Sequence, residues 1–344
     1  MSELEQRVIW RRGEGGYHTY RIPALVKTGV GTLLAFCEGR KDGGGDAGTI
    51  TLLLKRSEDG GVSWSDTQVV VSQDGMTCGN PCPVVDRDTG TIWMPFCKNL
   101  ADGPETMICE GKAPRTVWLT KSDDDGHSWS EPIEITQDVK DPSWTWYATG
   151  PGHGIQLQSG RLLIPCDHMI GVYMDRKRDP YHSHVIYSDD HGQSWKMGGI
   201  VQNGTNECEV VEFQDGNVYI NCRNYVGDKR RASALSQDGG ETFADFKWEE
   251  ALIEPICQAS VVALADDRLV FANPASTARE NLTVRVRDVD GHIWSNGSVL
   301  HRGPAAYSDL VIQADGRIGC LYECGDKNPY EKLVYAQFSA DWVE

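Results

Sequence analysis

No stretch of roughly eighteen consecutive apolar residues occurs in the chain, so no segment reads as a membrane-spanning helix. The opening residues, Met1-Ser2-Glu3-Leu4-Glu5-Gln6-Arg7, lack the basic and apolar regions of a secretory leader, and the chain as it stands is expected to be cytoplasmic. Positive charge is in deficit, with 33 Lys and Arg against 50 Asp and Glu for a net −17. A surface of that sign excludes nucleic acid and anionic membrane as principal partners. The short basic run Arg176-Lys177-Arg178 is hemmed in by Asp175 and Asp179 and reads as a solvated loop. Cysteine is plentiful, at 11, but not in a metal-binding pattern: the CxxxC spacings Cys78/Cys82 and Cys320/Cys324 have neither paired CxxC motifs nor flanking histidines. Neither a metal nor another cofactor is expected, and the scatter of cysteines through apolar runs points to buried small hydrophobes rather than a disulfide framework. The sequons at Asn203, Asn281 and Asn296 are expected to be inert without secretion. Amphipathic helical periodicity is missing as well.

What remains is strand. A chain of 344 residues can bury a full core as one large all-β domain or two smaller ones. An internal repeat decides between them. The pattern Ser57-Glu58-Asp59-Gly60-Gly61-Val62-Ser63-Trp64 recurs at 122–129, 188–195 and 236–243, with a degenerate fifth copy at 287–294 that keeps Asp290-Gly291 and Trp294; successive starts are 65, 66, 48 and 51 residues apart. The Asp accepts hydrogen bonds from turn amides, the Gly supplies a positive φ and the aromatic packs between strands, so each copy is a hairpin turn and belongs to the scaffold. About 24 short apolar or alternating runs surround these turns. Four strands per repeat and about six repeats predict an all-β, six-bladed β-propeller of four-stranded antiparallel blades, a single domain over 1–344. If each turn joins the third and fourth strands, residues 7–10 form a spare strand that pairs with the C-terminal run 332–338 and closes the ring.

The same phase sorts the loops. Connections alternate between faces in an antiparallel blade, so those between second and third strands, and those leading into first strands, share the face opposite the repeat turns. Arg40, Asp46, Glu105, Asp167, His168, Arg223, Arg279 and Glu323 follow second strands; Arg21, Asn80, His153, Glu207, Gln258 and Tyr307 precede first strands. Arginines converging at one mouth select a carboxylate, and form a cationic pocket within an acidic body.

Tyr20-Arg21-Ile22-Pro23 followed by several Asp-box turns resembles the exo-α-sialidase (neuraminidase) superfamily. Asn80-Pro81-Cys82-Pro83, Gly150-Pro151-Gly152-His153, Asn206-Glu207-Cys208, Ala306-Tyr307-Ser308-Asp309-Leu310 and Cys320-Leu321-Tyr322-Glu323 extend the resemblance over essentially the whole chain, closest in flavour to the animal-type cytosolic enzymes. The resemblance implies a retaining exo-glycosidase that releases terminal α-linked sialic acids from sialylated glycoconjugates; the sequence leaves the oligomeric state open, a monomer being plausible. It implies that Arg21, Arg223 and Arg279 grip the sugar carboxylate, that Glu323 holds Arg21, and that Arg40 contacts the O4 side. It further implies Asp46 as general acid/base, Glu207 as the base that activates Tyr307, and Tyr307 as the nucleophile.

Such enzymes depart from the usual carboxylate pair of retaining glycosidases. Sialic acid carries a carboxylate on its anomeric carbon, so a carboxylate nucleophile would meet strong repulsion, whereas a phenol is neutral until its proton is removed. Asp42 competes with Asp46, Glu110 with Glu105 as a pocket-lining group, and Arg285 and Arg287 with Arg279. One segment departs from the animal-type pattern of tyrosines near the glycerol tail: Pro165-Cys166-Asp167-His168-Met169 offers Asp167 and His168 to the tail or N-acyl group. A glycosidase for a deaminated or other nonulosonic acid, or a non-catalytic sialic-acid-binding propeller, are the alternatives; a binder has no need of Tyr307, Glu207 and Asp46 together.

Overall fold

The computed structural model describes residues 4–171, 181–226, 228–289 and 293–343; the basic run at 176–178 and Asp290-Gly291 of the degenerate repeat lie outside the described residues. The fold is all-β, with 25 strands against three helices of four or five residues among the described residues. Among the described residues no helix is long and apolar enough to cross a membrane.

Within each group of strands neighbours pair antiparallel, and a parallel pairing of Ile50 with Thr77 links the first group to the second. Thr19–Lys27, Leu33–Arg40, Ile50–Ser57 and Gln68–Val71 pair in that order, and Thr205–Glu212, Val218–Asn224, Arg230–Ser236 and Ala244–Ile253 repeat the scheme. The long strand Ser298–Ile312 serves two neighbours: its first half pairs with Glu280–Arg287 and its second half with Ile318–Cys324. Inner strands read as continuous apolar runs rather than alternating ones because sheets cover both of their faces; all eight residues of Leu33–Arg40 are buried. Glu5–Arg11 pairs antiparallel with Lys332–Phe338, as expected from the spare N-terminal strand. All 11 cysteines are buried.

Each complete Asp-box turn begins on the last residue of a third strand: Ser57, Ser122, Ser188 and Ser236. In the first of them Ser57 Oγ donates to Asp59 Oδ1 (2.9 Å), while Asp59 also accepts from Ser63 N (2.8 Å) and Ser63 Oγ (2.5 Å). Those donors pull the Asp59 carboxyl down to about 2, and the equivalent Asp124 and Asp238 likewise. The aromatic then reaches the preceding strand group: Trp64 meets Tyr335 at 5.2 Å and Trp129 meets Phe36 at 5.6 Å between ring centroids. Glycine is required where the turn presses on that neighbour, since a Cβ on Gly61 would lie 2.1 Å from the Tyr335 ring. The turns are therefore staples between adjacent strand groups, which is why none of their aspartates serves chemistry.

The innermost strands carry polar side chains in layers, because alternate residues of a strand share a face. Glu207 and Glu209 form one such pair and Tyr307 and Asp309 another. In the deeper layer Asp309 accepts from Leu25 N (2.6 Å) and pairs with His153 Nδ1 (2.8 Å), while Glu209 accepts from Val261 N (2.8 Å). These bonds tie inner strands together beneath the site.

Candidate active site

The residues of the functional face meet in one cavity. Arg21, Arg40, Asp46, Glu105, Asp167, Glu207, Arg223, Arg279 and Tyr307 all line it. Backbone irregularity accompanies several of them. Register shifts interrupt the pairing beside Arg21, beside Glu207 and beside Tyr307, each at the cavity end of a first strand. A bulge of that kind bends the strand and ends its regular pairing at the cavity rim.

Tyr307 is buried, and its hydroxyl donates to Glu207 Oε1 at 2.5 Å. Arg223 Nη1 donates to Glu207 Oε2 (2.6 Å) and to the Tyr307 oxygen (3.1 Å), so the three side chains interlock. Burial, then the Glu207 charge, push the phenol well above its ordinary value, and Arg223 and Arg279 offset this only in part. The phenol is thus protonated at rest and needs a base in contact with it, which Glu207 is.

Arg21 is held by a buried, two-pronged pair, Nε to Glu323 Oε1 (3.0 Å) and Nη2 to Glu323 Oε2 (3.2 Å). Glu323 also accepts from Ile22 N (2.9 Å) and Tyr307 N (3.2 Å), so it stands behind the cavity wall and fastens both residues. Arg279 donates to the Tyr330 hydroxyl at 2.6 Å, and among the described residues no carboxylate lies within ion-pairing distance of it. The ring of Tyr330 in turn lies under Arg21, 4.2 Å from centroid to guanidinium carbon.

Asp46 sits in a glycine-rich loop folded over Arg40, whose Nη1 donates to Asp46 Oδ1 (2.7 Å), Gly44 O (2.8 Å) and Gly45 O (3.0 Å). Its side chain is 64% exposed, facing the mouth. Burial of the carboxyl would raise its pKa, but Arg40 and Arg21 outweigh that and hold it below the usual carboxylate range. Arg40 is itself gripped by Glu38 through Nε (2.9 Å) and Nη2 (2.6 Å).

The competing residues fall away. Asp42 caps its own loop through Thr49 N (2.7 Å), Glu110 pairs with Lys112 (2.6 Å), Arg285 donates to Asn273 (3.4 Å) and Arg287 packs on Tyr219 and Trp294, and none of them lines the cavity. Glu105 does line it, accepting from the Tyr181 hydroxyl at 2.8 Å.

His168 is a correction. It is fully buried and lies outside the cavity, stacked on Trp144 at 3.4 Å with Nδ1 3.0 Å from His184 Nδ1. The reason is parity: on Leu162–Ile170 Asp167 faces the cavity, so its neighbour points into the packing between sheets. His153 and Gln258, placed at the mouth by phase, likewise sit one layer down. Conversely Glu38, Arg115, Trp146, Asn206 and Tyr225 line the cavity without having been singled out. Asn206 stood in a recognised motif, whereas Arg115 ends an irregular segment with no periodicity to place it.

His168 and His184 have a measurable consequence. Burial, and then neighbouring histidines, lower both; His184 falls to about 3. An unfolded histidine titrates near ~6.5, so between roughly pH 6.5 and 3 the unfolded chain binds protons that the folded one refuses. Stability is fully present above pH ~6.5 and is lost as pH falls. His153, raised by Asp309 against its burial, works in the opposite sense. The drop in Tm between pH 7 and pH 5 is expected to shrink in the His168→Gln/His184→Gln variant; an unchanged drop refutes the assignment.

Comparison with known proteins places this arrangement. The BNR repeat-like domain model matches residues 31–320. Sialidase-3 of Bos taurus is 32% identical, the match covering 93% of this chain and 89% of that protein. The exo-alpha-sialidase of Aspergillus fumigatus is 31% identical over 95% of this chain and 86% of its own length. Among solved structures, Hadza microbial sialidase Hz136 superposes with a TM-score of 0.87 at 27% identity, covering 98% of this chain and 69% of that one. The shared architecture is the six-bladed propeller expected from the repeat. A tyrosine bonded to a glutamate among arginines, on that fold and with those relatives, has one family to belong to: the chain is a member of the sialidase family of glycoside hydrolases.

Proposed function

We propose that the cavity binds a terminal α-linked sialic acid of a glycoconjugate and hydrolyses it with retention through a covalent tyrosyl intermediate, on a single domain of six four-stranded blades. The bond from the Tyr307 hydroxyl to Glu207 at 2.5 Å carries this reading. The names of the Bos taurus and Aspergillus fumigatus relatives support the substrate class.

Arg21, Arg223 and Arg279 receive the sugar carboxylate, and Arg279 brings a charge on which, among the described residues, no carboxylate already sits. With the sugar so oriented, Glu207 takes the phenolic proton as the Tyr307 oxygen bonds to the anomeric carbon. The bond from that carbon to the aglycone oxygen breaks, and Asp46 gives that oxygen its proton. In the second half Asp46 removes a proton from water, the water oxygen bonds to the anomeric carbon, the tyrosyl bond breaks, and Glu207 returns the proton to Tyr307. The low pKa of Asp46 in the empty site suits the second half; the first half needs its protonated form.

A pH dependence follows with a definite sign. As pH rises above the folded pKa of Asp46, which Arg40 and Arg21 hold below the ordinary carboxylate range, its protonated fraction shrinks. For sialyllactose, whose leaving group requires a proton, kcat/KM is expected to peak on the acid side and decline towards neutral pH. Asp46→Asn is expected to lose most of its kcat/KM and this basic limb on sialyllactose, yet to keep much of its kcat/KM on the 4-methylumbelliferyl glycoside, whose leaving group requires little help. Its kcat falls on both, because water attack also needs Asp46. A limb that persists unaltered in the variant removes Asp46 from the acid role.

A further inference from the structure

Three arginines meet one carboxylate well only if their donors are aimed beforehand, because like charges repel and each long side chain has many rotamers. Arg21 and Arg223 are aimed by the carboxylates of Glu323 and Glu207. Arg279 is aimed by neutral groups: its Nη1 donates to the Tyr330 hydroxyl (2.6 Å) and its Nη2 to Ile256 O (3.4 Å). A carboxylate in the place of that hydroxyl would oppose the incoming anion. The hydroxyl fixes the direction of the guanidinium and leaves its charge to the ligand.

Tyr330 reaches a second arginine as well. Its ring lies against the Arg21 guanidinium, 4.2 Å from centroid to Cζ, where the negative face of the ring attracts a cation. The same side chain packs on the cluster of Ile22, Cys257, Ala306 and Tyr307, yet it is not among the residues that line the cavity. Its backbone is fixed by its own connection, between Ile318–Cys324 and Lys332–Phe338. There the Glu331 carboxylate accepts from Asp326 N (2.9 Å), Lys327 N (3.0 Å) and Asn328 N (3.1 Å). Asn328 Oδ1 in turn accepts from Tyr330 N (2.8 Å). These bonds tie the turn to itself, so a set backbone delivers the phenol to both arginines. Glu323, near the end of the strand leading into this turn, grips Arg21 too.

We propose that Tyr330 is a positioning residue that ties Arg279 to Arg21: its hydroxyl holds one guanidinium and its ring the other, spaced for a single carboxylate. This rests on the sialidase reading of the cavity. Tyr330 acts through the arginines and not on the sugar, so its loss weakens the hold on the carboxylate and spares the chemical step.

Tyr330→Phe deletes the hydroxyl alone and keeps the ring against Arg21. On the 4-methylumbelliferyl glycoside of N-acetylneuraminic acid it is expected to raise KM about tenfold, with kcat within about twofold of wild type. Calorimetric titration with free N-acetylneuraminic acid is expected to show a Kd weakened by a similar factor. In the Arg279→Ala background, adding Tyr330→Phe is expected to change kcat/KM by less than about twofold, because the group it aims is gone. A purely structural tyrosine lowers kcat/KM by the same factor in both backgrounds, and that outcome overturns the proposal. So does a Tyr330→Phe variant whose KM and Kd match wild type, or one whose loss lies in kcat. Tyr330→Leu, which removes the ring too, is expected to weaken binding by a further factor of about 3 to 10. A Leu variant no weaker than the Phe variant overturns the tie to Arg21. If Tyr330→Leu fails to fold, Tyr330→Phe and its cycle with Arg279→Ala still decide. A wild type that cleaves no sialoside refutes the sialidase reading, and the proposal falls with it; a wild type that cleaves while Tyr330→Phe matches it refutes the proposal alone.

Discussion

Tyr307→Phe is expected to lower kcat by about 10⁴-fold or more while sialic acid still binds. The substitution deletes one oxygen and leaves the ring between Arg21 and Arg279, whose guanidinium carbons lie 4.9 and 5.5 Å from its centroid. The arginine cluster keeps its carboxylate site. Glu207 loses the hydroxyl donor but retains Arg223 at 2.6 Å, so no buried charge is stranded. Fluorogenic assays paired with calorimetric titration of N-acetylneuraminic acid separate the two effects. Turnover near the wild-type rate would end the nucleophile assignment, and loss of binding together with turnover would mark Tyr307 as a structural residue.

Glu323→Ala is expected to damage both fold and site. Its carboxylate is fully buried and answers four donors on two segments: two nitrogens of Arg21 and the amides of Ile22 and Tyr307. Removing it leaves Arg21, itself 5% exposed, without its principal counter-charge. Breaking one side of a buried pair costs about 3–5 kcal/mol, which lowers Tm by roughly 5–15 °C in a protein of this size. Whatever folds should show a raised KM, because Arg21 is no longer held towards the sugar carboxylate. A melting curve and kinetics that both match wild type would show that Asp46, 3.3 Å from Arg21, suffices alone.

The repeat, the two faces and most of the cavity were legible because they depend on local chemistry. An Asp box writes its own turn through Ser57, Asp59 and Ser63, and counting strands between boxes assigns every loop to a face. Depth was not legible. Glu207 and Tyr307 reach the cavity beside register shifts, and no pattern of apolar residues announces where a strand takes an extra residue. Asp167 and His168 alternate regularly, but which of the two faces the cavity depends on pairing with residues 147 and 148, which nothing beside them in the chain announces. Arg115 escaped notice because its position follows from long-range acceptors, Asn80, Asn99 and Tyr147, rather than from anything beside it in the chain. Asp46 was separable from Asp42 only by motif; in three dimensions Arg40 makes the distinction.

The pairing of Glu5–Arg11 with Lys332–Phe338 has a bearing on assembly. During synthesis the first strand emerges more than three hundred residues before its partner, so it waits as an unpaired edge while every intervening sheet is made. The Trp64–Tyr335 contact is delayed in the same way. The ring behaves like a belt whose buckle is manufactured last. Residues such as Glu323 and Tyr307 lie close to that buckle, so the catalytic constellation is completed only at the end, and a nascent chain short of it presents Arg21 and Glu207 without the groups that make them a site.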